Sequence, residues 1–343
     1  MNSMKCLMGS RKKINLFLLS LGIIFLLSNC KINAFEIARS LDELGRPRMF
    51  VHFIDIPGGE AIYIEFPDAG EMLIYGGEYD DVETVKERLN DLFEKKEGYF
   101  TSKLKGFLGW QQKINTVILR YPREETVKGV VEIIGKAEVE NLYGPLEQKG
   151  SISPPYAGVP SSLVEFFLYF NPPYTPGWTT EMRKKQVTTN YKEVKRGRRI
   201  KTPEQIESDV EIEVFNPYTP VRYYEYIRRC DAPEWVEDRA VVVRVRFNEV
   251  SFLFIGNIEK NMGSKFATAG SSLKSDIVEI SSPCLEYPSV LDNIKPEVIV
   301  FPKSRKKVKD IYSDKLGYKA RIYSFYRKSR LIFITDGKKV YLE

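Results

Sequence analysis

Apolar and polar residues alternate with the period of β-strands once the first segment of the chain has passed. Residues 49–66 form two such runs on either side of the turn sequence Pro57-Gly58-Gly59, a pattern that predicts a β-hairpin. A third apolar run covers residues 72–75. Asp81 then precedes a stretch with helical periodicity, so we predict a helix that Asp81 caps. The apolar face of this helix should consist of Val82, Val85, Leu89, Leu92 and Phe93.

The middle of the chain combines regular elements with a long irregular stretch. Residues 114–119 are a compact apolar run that predicts a strand, and a helix is expected at residues 124–137 after Pro122. Residues 143–174 are rich in proline, glycine and serine, which favours a long loop or insertion. One short element is expected inside it, at residues 164–170.

Strand patterns return after residue 209 and continue to the end of the chain. Strands separated by a few helices, without internal repeats, predict an α/β sandwich of two sheets. The expected strands cover residues 210–215, 240–247, 250–255, 277–280, 298–301, 318–323, 331–335 and 339–342.

The first thirty residues have the pattern of an export signal. Residues 5–13 are basic, and residues 14–27 form an almost unbroken apolar run, shorter than the roughly 20 residues that a membrane-spanning helix needs. The run ends in Leu27-Ser28-Asn29-Cys30, which resembles the bacterial lipobox except that Asn29 replaces the usual small residue.

We therefore predict a signal peptide at residues 1–29, fatty acylation of Cys30 by palmitate or a similar chain, and a linker at residues 30–48. The protein would be exported and held in a membrane of the cell envelope by its lipid anchor. A secretory signal that is cut elsewhere and an uncleaved short anchor are the alternatives that the sequence leaves open.

Histidine content limits the metal chemistry that the chain can perform. His52 is the single histidine in 343 residues, whereas hydrolytic zinc sites normally use two or three histidines. A metal site would therefore need an unusual set of carboxylate ligands. We expect no metal and no other cofactor.

Charge and cysteine content add little to this picture. The formal charge is +6, and removal of the four positive charges of the first segment leaves +2, so net charge gives no reason to expect nucleic-acid binding. The cysteines do not form a C-x-x-C pair. Because export permits disulfides, Cys230 and Cys284 are a candidate pair.

Two segments near the start of the strand-rich region carry a recognisable pattern, F-I-D-I-P-G-G-E-A-I-Y-I at residues 53–64 and L-I-Y-G-G at residues 73–77. They are similar to F-L-D-V-G-Q-G-D-A-I-L-I and L-I-D-G-G, and their order resembles the metallo-β-lactamase-like domain of the bacterial competence (DNA-uptake channel) family. The resemblance implies a four-layer αββα sandwich of the metallo-β-lactamase-like type at residues 49–343. The Pro/Gly-rich and basic stretch near residues 144–205 would be an insertion in it.

The same resemblance implies that the metal site is degenerate. The family's segment L-T-H-P-H-x-D-H is matched by L-R-Y-P-R-E-E-T at residues 119–126, and its T-G-D by I-G-N at residues 255–257. A later pair of histidines is replaced as well. The positions that would hold metal ligands in the family are Tyr75, Tyr121, Arg123, Glu125, Thr126, Asn257, Ser282 and Pro283. The resemblance therefore implies a pseudoenzyme without catalytic residues.

Two positive groups stand where the family holds its metal ions. Arg120 and Arg123 bring charge to this place, with Glu125 as the expected partner. One interpretation is a structural arginine–glutamate pair that replaces the metal, and the other is a cleft that still binds an anion.

A second basic cluster covers residues 183–201. It could contact phosphates of nucleic acid or anionic lipid headgroups, or it could be a solvated loop edge. The candidate contact residues are Arg183, Lys184, Lys185, Lys195, Arg196, Arg198 and Arg199.

Three functions remain open on the sequence alone. The first is a non-catalytic envelope lipoprotein that binds a protein or ligand partner or serves as a scaffold. The second is a nucleic-acid-binding accessory of DNA uptake, for which we expect weak and salt-sensitive binding. The third is a metallohydrolase with a rebuilt metal site.

Overall fold

The computed structural model divides the chain into Met1–Pro47 and a compact unit, Arg48–Glu343. It describes residues 47–67, 70–97, 113–147, 189–201, 209–222, 232–257, 260–281, 288–302, 316–325 and 330–343. Every described strand, helix and buried cluster lies within Arg48–Glu343. Because this unit contains its own core, we expect it to fold without the first 47 residues.

The first sheet has eight strands. Their bounds are β1 Met49–Ile54, β2 Ala61–Glu65, β3 Glu71–Tyr75, β4 Lys113–Leu119, β5 Glu138–Gly144, β6 Asn190–Glu193, β14 Arg330–Thr335 and β15 Val340–Leu342. The strand order is β15-β14-β1-β2-β3-β4-β5-β6. Strands β3 to β6 are parallel to one another, and the remaining pairs are antiparallel. The predicted hairpin is confirmed, with Ile54 opposite Ala61.

The second sheet has seven strands. Their bounds are β7 Arg199–Ile200, β8 Val210–Asn216, β9 Val242–Phe247, β10 Val250–Gly256, β11 Ile277–Ile280, β12 Val298–Phe301 and β13 Arg321–Ser324. The order is β13-β12-β11-β10-β9-β8-β7. Strands β10 to β13 are parallel, and β7 to β10 pair in antiparallel fashion.

Helices cover the outer face of each sheet. The α-helices are α1 Val82–Glu97, α2 Glu124–Lys136, α3 Pro233–Asp238, α4 Lys260–Ala269 and α5 Pro288–Ile294. Helices α1 and α2 pack on the first sheet through residues such as Val85 and Val130. Helices α4 and α5 pack on the second through Phe266 and Leu291. In the described residues no helix is both long and apolar enough to cross a bilayer.

A third apolar layer joins the two sheets face to face. It includes Phe53 and Ile74 of the first sheet, and Phe252 and Val300 of the second. Strand alternation explains this layer, because every second side chain of β1, β3, β10 and β12 points to the same face. The architecture is a four-layer αββα sandwich, as predicted.

The structure differs from the sequence-based expectations at three places. Strand β5 was not predicted, and it ends at Gly144, inside the stretch expected to be a loop from residue 143. No strand was predicted in the basic part of the insertion, where β6 and β7 extend one sheet each. Asp81 lies inside a 3-10 helix, Tyr79–Asp81, and does not cap α1. Its carboxylate accepts the backbone N–H groups of Glu78 at 2.8 Å and Gly58 at 3.1 Å, which holds the β1–β2 turn against this helix.

Candidate functional site

Of the positions that the resemblance assigns to metal ligands, Tyr75, Tyr121 and Asn257 lie at one edge of the sandwich, where β3 and β4 of the first sheet and β10 and β11 of the second sheet end. Arg120 follows β4 directly. Its N–H donates to the carbonyl of Tyr75 at 2.9 Å, and its carbonyl accepts the N–H of Val241, the residue before β9 of the second sheet, at 2.7 Å. The backbone of Arg120 therefore links the two sheets.

The side chain of Arg120 lies between the sheets and is completely buried. Arg120 comes two residues after Ile118, and Glu279 two residues after Ile277; both isoleucines face the inter-sheet layer. Because side chains alternate along a strand, Arg120 and Glu279 point into that same layer. They form an ion pair in which Nη2 of Arg120 lies 2.6 Å from Oε2 of Glu279.

Both oxygens of the Glu279 carboxylate are occupied. Oε2 accepts the guanidinium of Arg120 and, at 3.1 Å, the backbone N–H of Gly256. Oε1 accepts the hydroxyl of Ser281 at 2.9 Å. A buried carboxylate is tolerated when its lone pairs are filled in this way, because each hydrogen bond offsets part of the lost hydration.

A second carboxylate, that of Glu60, completes the group. Its Oε1 lies 3.4 Å from Nη1 of Arg120 and accepts a short hydrogen bond from the hydroxyl of Tyr121. The same hydroxyl accepts the N–H of Asn257 at 2.8 Å. We call Glu60, Arg120, Tyr121, Glu279 and Ser281 the inter-sheet polar cluster; all are buried.

Two glycines make room for this cluster. A Cβ atom at Gly256 would lie 2.6 Å from both Nε of Arg120 and the hydroxyl of Tyr121, and the backbone there has φ +73°. A Cβ atom at Gly76 would lie 2.7 Å from the ring of Tyr121. At both places the absence of a side chain is required by the approach of the buried polar groups.

Burial changes the acidity of the cluster. It raises the pKa of Glu279; Arg120 opposes this shift, and the nearby Glu60 carboxylate adds to it. Burial alone lowers the pKa of Arg120, but Glu279, Tyr121 and Glu60 together raise it above its ordinary value. Burial and Glu60 raise the pKa of Tyr121. Arg120 therefore stays charged, and Tyr121 stays a neutral hydrogen-bond donor.

Helix α3 covers the cluster from outside. Val236 packs against Tyr121, and the neighbouring Glu237 accepts a short hydrogen bond from the amide nitrogen of Asn257. Nη2 of Arg123 lies 3.8 Å from Oε1 of Glu237, and its side chain is 32% exposed. Arg123 is thus a surface residue at the rim, whereas Arg120 lies inside.

The expected partnership of the arginines with Glu125 is wrong. The Glu125 carboxylate lies on the surface of α2 and pairs with Lys128 at 2.7 Å. Glu125 and Lys128 are three residues apart on one helix, a spacing at which side chains meet on the helix surface. The carboxylates that hold Arg120 come instead from the start of β2 and from β11.

Other positions singled out by the sequence serve packing. The ring of Tyr75 lies under α2, where a Cβ atom at Gly129 would approach it to 2.6 Å, and its hydroxyl donates to the carbonyl of Glu78. The hydroxyl of Thr126 is buried, with no hydrogen-bond partner in the described part of the chain. His52 is buried in β1, and its Nε2 lies 2.7 Å from Oε1 of Glu65.

The residues at this edge do not fit a transition-metal site. Such ions take imidazole, thiolate or carboxylate ligands. Here the centre is a guanidinium group, which cannot act as a ligand, and the hydroxyl of Tyr121 already has two hydrogen-bond partners. Within the described ranges, no group of three or more histidine, cysteine, aspartate or glutamate side chains is arranged to hold a metal ion.

The basic residues after β6 form an ordered turn at the same edge. The N–H of Arg196 donates to the carbonyl of Pro217 at 2.7 Å, and that of Gly197 to Val214 at 2.8 Å. Lys195 and Arg196 are exposed. Arg199 is also exposed and stands opposite Glu213 in the β7–β8 register.

Several residues named by the sequence lie outside the described residues, and their predictions stay untested. They are Cys30, Arg183, Lys184, Lys185, Cys230, Ser282, Pro283 and Cys284. The predicted short element at residues 164–170 lies outside as well.

A scan against protein-family models and a search of curated proteins give no match. Solved structures similar to the chain include the following three. A mutant of the β-hydroxylase CmlA is 10% identical, with 88% of this chain and 56% of that chain covered and a TM-score of 0.43. A protein described as a metal-dependent hydrolase from Parabacteroides distasonis is 9% identical, with 80% and 92% covered and a TM-score of 0.40. A long form of RNase Z from yeast is 8% identical, with 86% and 49% covered and a TM-score of 0.49.

This chain spans about half the length of the CmlA and RNase Z chains. At such low identity the comparisons concern the fold only. The four-layer sandwich itself is established by the strand order and the buried layers of this chain.

Sequence reasoning missed the roles of Glu60 and Glu279, but a signal for Glu279 exists. It is the one charged residue in the apolar run Ile277-Val278-Glu279-Ile280, and alternation puts it on the same face as Ile277. A charged residue inside a buried strand needs a partner of opposite charge. For Glu60 the signal is the resemblance itself, because Glu60 stands where the family motif G-Q-G-D-A-I has its aspartate, so a carboxylate is kept at this position.

Proposed function

We propose that this protein is a non-catalytic, envelope-anchored lipoprotein whose metallo-β-lactamase-like domain has exchanged its metal site for the inter-sheet polar cluster. The main observation in support is that Arg120 is buried between the carboxylates of Glu279 and Glu60. This group lies at the sheet edge that also holds Tyr121 and Asn257, two of the altered ligand positions. The domain would then serve in binding or as a scaffold.

The chemistry of the cluster supports this proposal. A hydrolytic metal ion lowers the pKa of a bound water and stabilises charge that develops on the scissile group. A guanidinium group between two carboxylates does neither, because its positive charge is already matched and it is closed off from solvent. What it can do is tie β4 of one sheet to β11 of the other.

Metal content is the direct test. Purified Arg48–Glu343 is exposed to zinc, manganese and iron(II), desalted and analysed for bound elements, and we expect far less than one ion per chain. Glu125→Gln is analysed beside the wild type, because Glu125 is the only carboxylate at an altered ligand position and the variant removes it. Metal near one ion per chain that Glu125→Gln abolishes would favour a rebuilt metallohydrolase site and contradict the proposal.

The anchor is tested separately through Cys30. Cells that express the full chain are fed a labelled fatty acid, and we expect label in the wild type and none in Cys30→Ala. Cys6→Ala, which changes the other cysteine of the first segment, should keep the label. Equal labelling of wild type and Cys30→Ala would show that acylation does not occur at Cys30.

A further inference from the structure

A group of positive charges without ion-pair partners in the described residues lies at the same edge of the sandwich as the inter-sheet polar cluster. The ring of Tyr218 has Arg196 at 4.7 Å and Lys265 at 5.3 Å from its centre. The ring of Tyr143 has Lys192 at 5.4 Å and Arg198 at 5.7 Å. We call Lys192, Lys195, Arg196, Arg198 and Lys265 the basic patch.

The partners of these cations are neutral groups. Lys192 donates to the amide oxygen of Asn141 at 2.8 Å, and Arg198 to the backbone carbonyl of Glu193. Arg196 and Lys265 contact a tyrosine face, and such contacts leave the charge itself unbalanced. In the described ranges none of these five residues forms an ion pair with a carboxylate, and Glu193 is the single acidic residue between Lys192 and Arg198 in the chain. The patch therefore keeps an excess of positive charge that attracts an anionic partner.

The patch is also fixed in place. The turn between β6 and β7 is bonded to both sheets, through Val194 N–H to the carbonyl of Gly144 and through Gly197 N–H to that of Val214, each at 2.8 Å. Gly197 has φ +81°, which sets the turn. Charges on an ordered turn lose less conformational freedom on binding than charges on a free loop.

We propose that the basic patch docks the domain onto a bilayer surface that carries anionic headgroups. The choice of a membrane rests on the anchor in the proposed function. Residues 31–47 can span at most about 60 Å, whereas a strand of six residues such as Met49–Ile54 covers about 20 Å. The patch edge is therefore within reach of a bilayer that holds Cys30.

The tyrosines distinguish this partner from single-stranded nucleic acid. Sequence-independent binding of single strands depends on aromatic faces on which bases stack. Tyr143 is 2% exposed, and the ring of Tyr218 is contacted by two cations. The patch therefore offers charge for phosphate groups and little aromatic surface for stacked bases.

The test uses Arg48–Glu343, which lacks Cys30, with vesicles of phosphatidylcholine alone or mixed with phosphatidylglycerol. We expect binding to the anionic vesicles only, weakened by salt. Lys195→Ala with Lys265→Ala should reduce the affinity about tenfold or more, since each lysine near an anionic surface contributes about 1 kcal/mol. Both lysines are exposed, so melting curves should match the wild type.

The matched control is Lys338→Ala with Lys339→Ala, which removes two exposed lysines from the β14–β15 turn at the opposite edge. It should bind like the wild type. Equal loss in both double variants, absence of binding to anionic vesicles, or tighter binding to duplex DNA than to vesicles at the same salt would each overturn the proposal. Because the fragment lacks the anchor, none of these outcomes depends on the labelling of Cys30.

Discussion

The inter-sheet polar cluster and the basic patch lie at one edge of the same sandwich but differ in how their positive charges are balanced. In the cluster, Arg120 is fully buried and meets two carboxylates. In the patch, cations such as Lys195 and Arg196 are exposed, and Arg196 rests on the neutral ring of Tyr218. The difference shows that a buried charge requires a counter-charge, because it has lost its hydration. A solvated charge does not require one and stays available to a binding partner.

The two regions share a structural device, a glycine with positive φ. Gly256 at +73° lets the cluster close, and Gly197 at +81° shapes the turn of the patch. Only Gly256 has close neighbours, since nothing lies within 4 Å of a Cβ atom placed at Gly197. A substitution at Gly197 therefore tests backbone strain alone, whereas one at Gly256 tests backbone strain together with close packing.

The largest expected effect is the loss of the buried cation. Arg120→Met leaves Glu60 and Glu279 buried without a counter-charge, and we expect it to lower the free energy of unfolding by about 3–5 kcal/mol. Arg123→Met, three residues along and at the surface, should lower it by less than about 1 kcal/mol. Urea unfolding of Arg48–Glu343 measures both.

A triple variant sharpens this result. Arg120→Met combined with Glu60→Gln and Glu279→Gln removes all three charges, so it should be more stable than Arg120→Met alone, because no unpaired charge stays buried. If the triple variant is the less stable of the two, packing rather than charge pairing governs the cluster.

The glycine pair should give the next largest effect. Gly256→Ala combines the left-handed backbone penalty with contacts of 2.6 Å to Arg120 and Tyr121, and we expect a loss of roughly 3 kcal/mol. Gly197→Ala carries only the backbone penalty, about 1 kcal/mol. Thermal or urea unfolding measures the loss of stability in each variant. Equal losses would mean that the cluster accommodates an added methyl group without cost.

The smallest effect is a dependence of stability on pH. The pKa of Glu279 is raised from 4.5 in the folded protein, mainly by burial. At pH values between 4.5 and this raised pKa the folded state therefore holds a proton that the unfolded chain has released, whereas above the raised pKa Glu279 is the charged partner of Arg120. Stability should therefore fall as pH rises from about 4.5 through the raised pKa, by less than about 1.4 kcal/mol per pH unit, the limit for one proton.

Unfolding curves at several pH values test this direction. Glu279→Gln cannot ionise and should flatten the dependence in that window. Glu211→Gln, a carboxylate half exposed in its pair with Arg246 on the second sheet, should keep the wild-type slope. A slope unchanged by Glu279→Gln would assign the dependence to another group.

Local patterns in the sequence predicted much of the fold. The hairpin of β1 and β2, helix α2 and strands β11 and β12 follow from periodicity and turn residues. Strand β5, Glu138–Gly144, escaped prediction because its polar residues Glu138, Glu140 and Asn141 hide the alternation. Strands β6 and β7 escaped because short edge strands carry few apolar residues.

What the sequence by itself determined is therefore most of the elements, the absence of histidine from residues 119–126, and the presence of Arg120 there. Only the tertiary structure decided which carboxylates meet Arg120, because Glu279 is 159 residues away in the chain and lies in the other sheet. Periodicity reports which face a side chain takes within its own strand. It carries no information on which strand of the opposite sheet will face it, since packing of the apolar layer decides that, and the nearby Glu125 was for this reason the wrong partner.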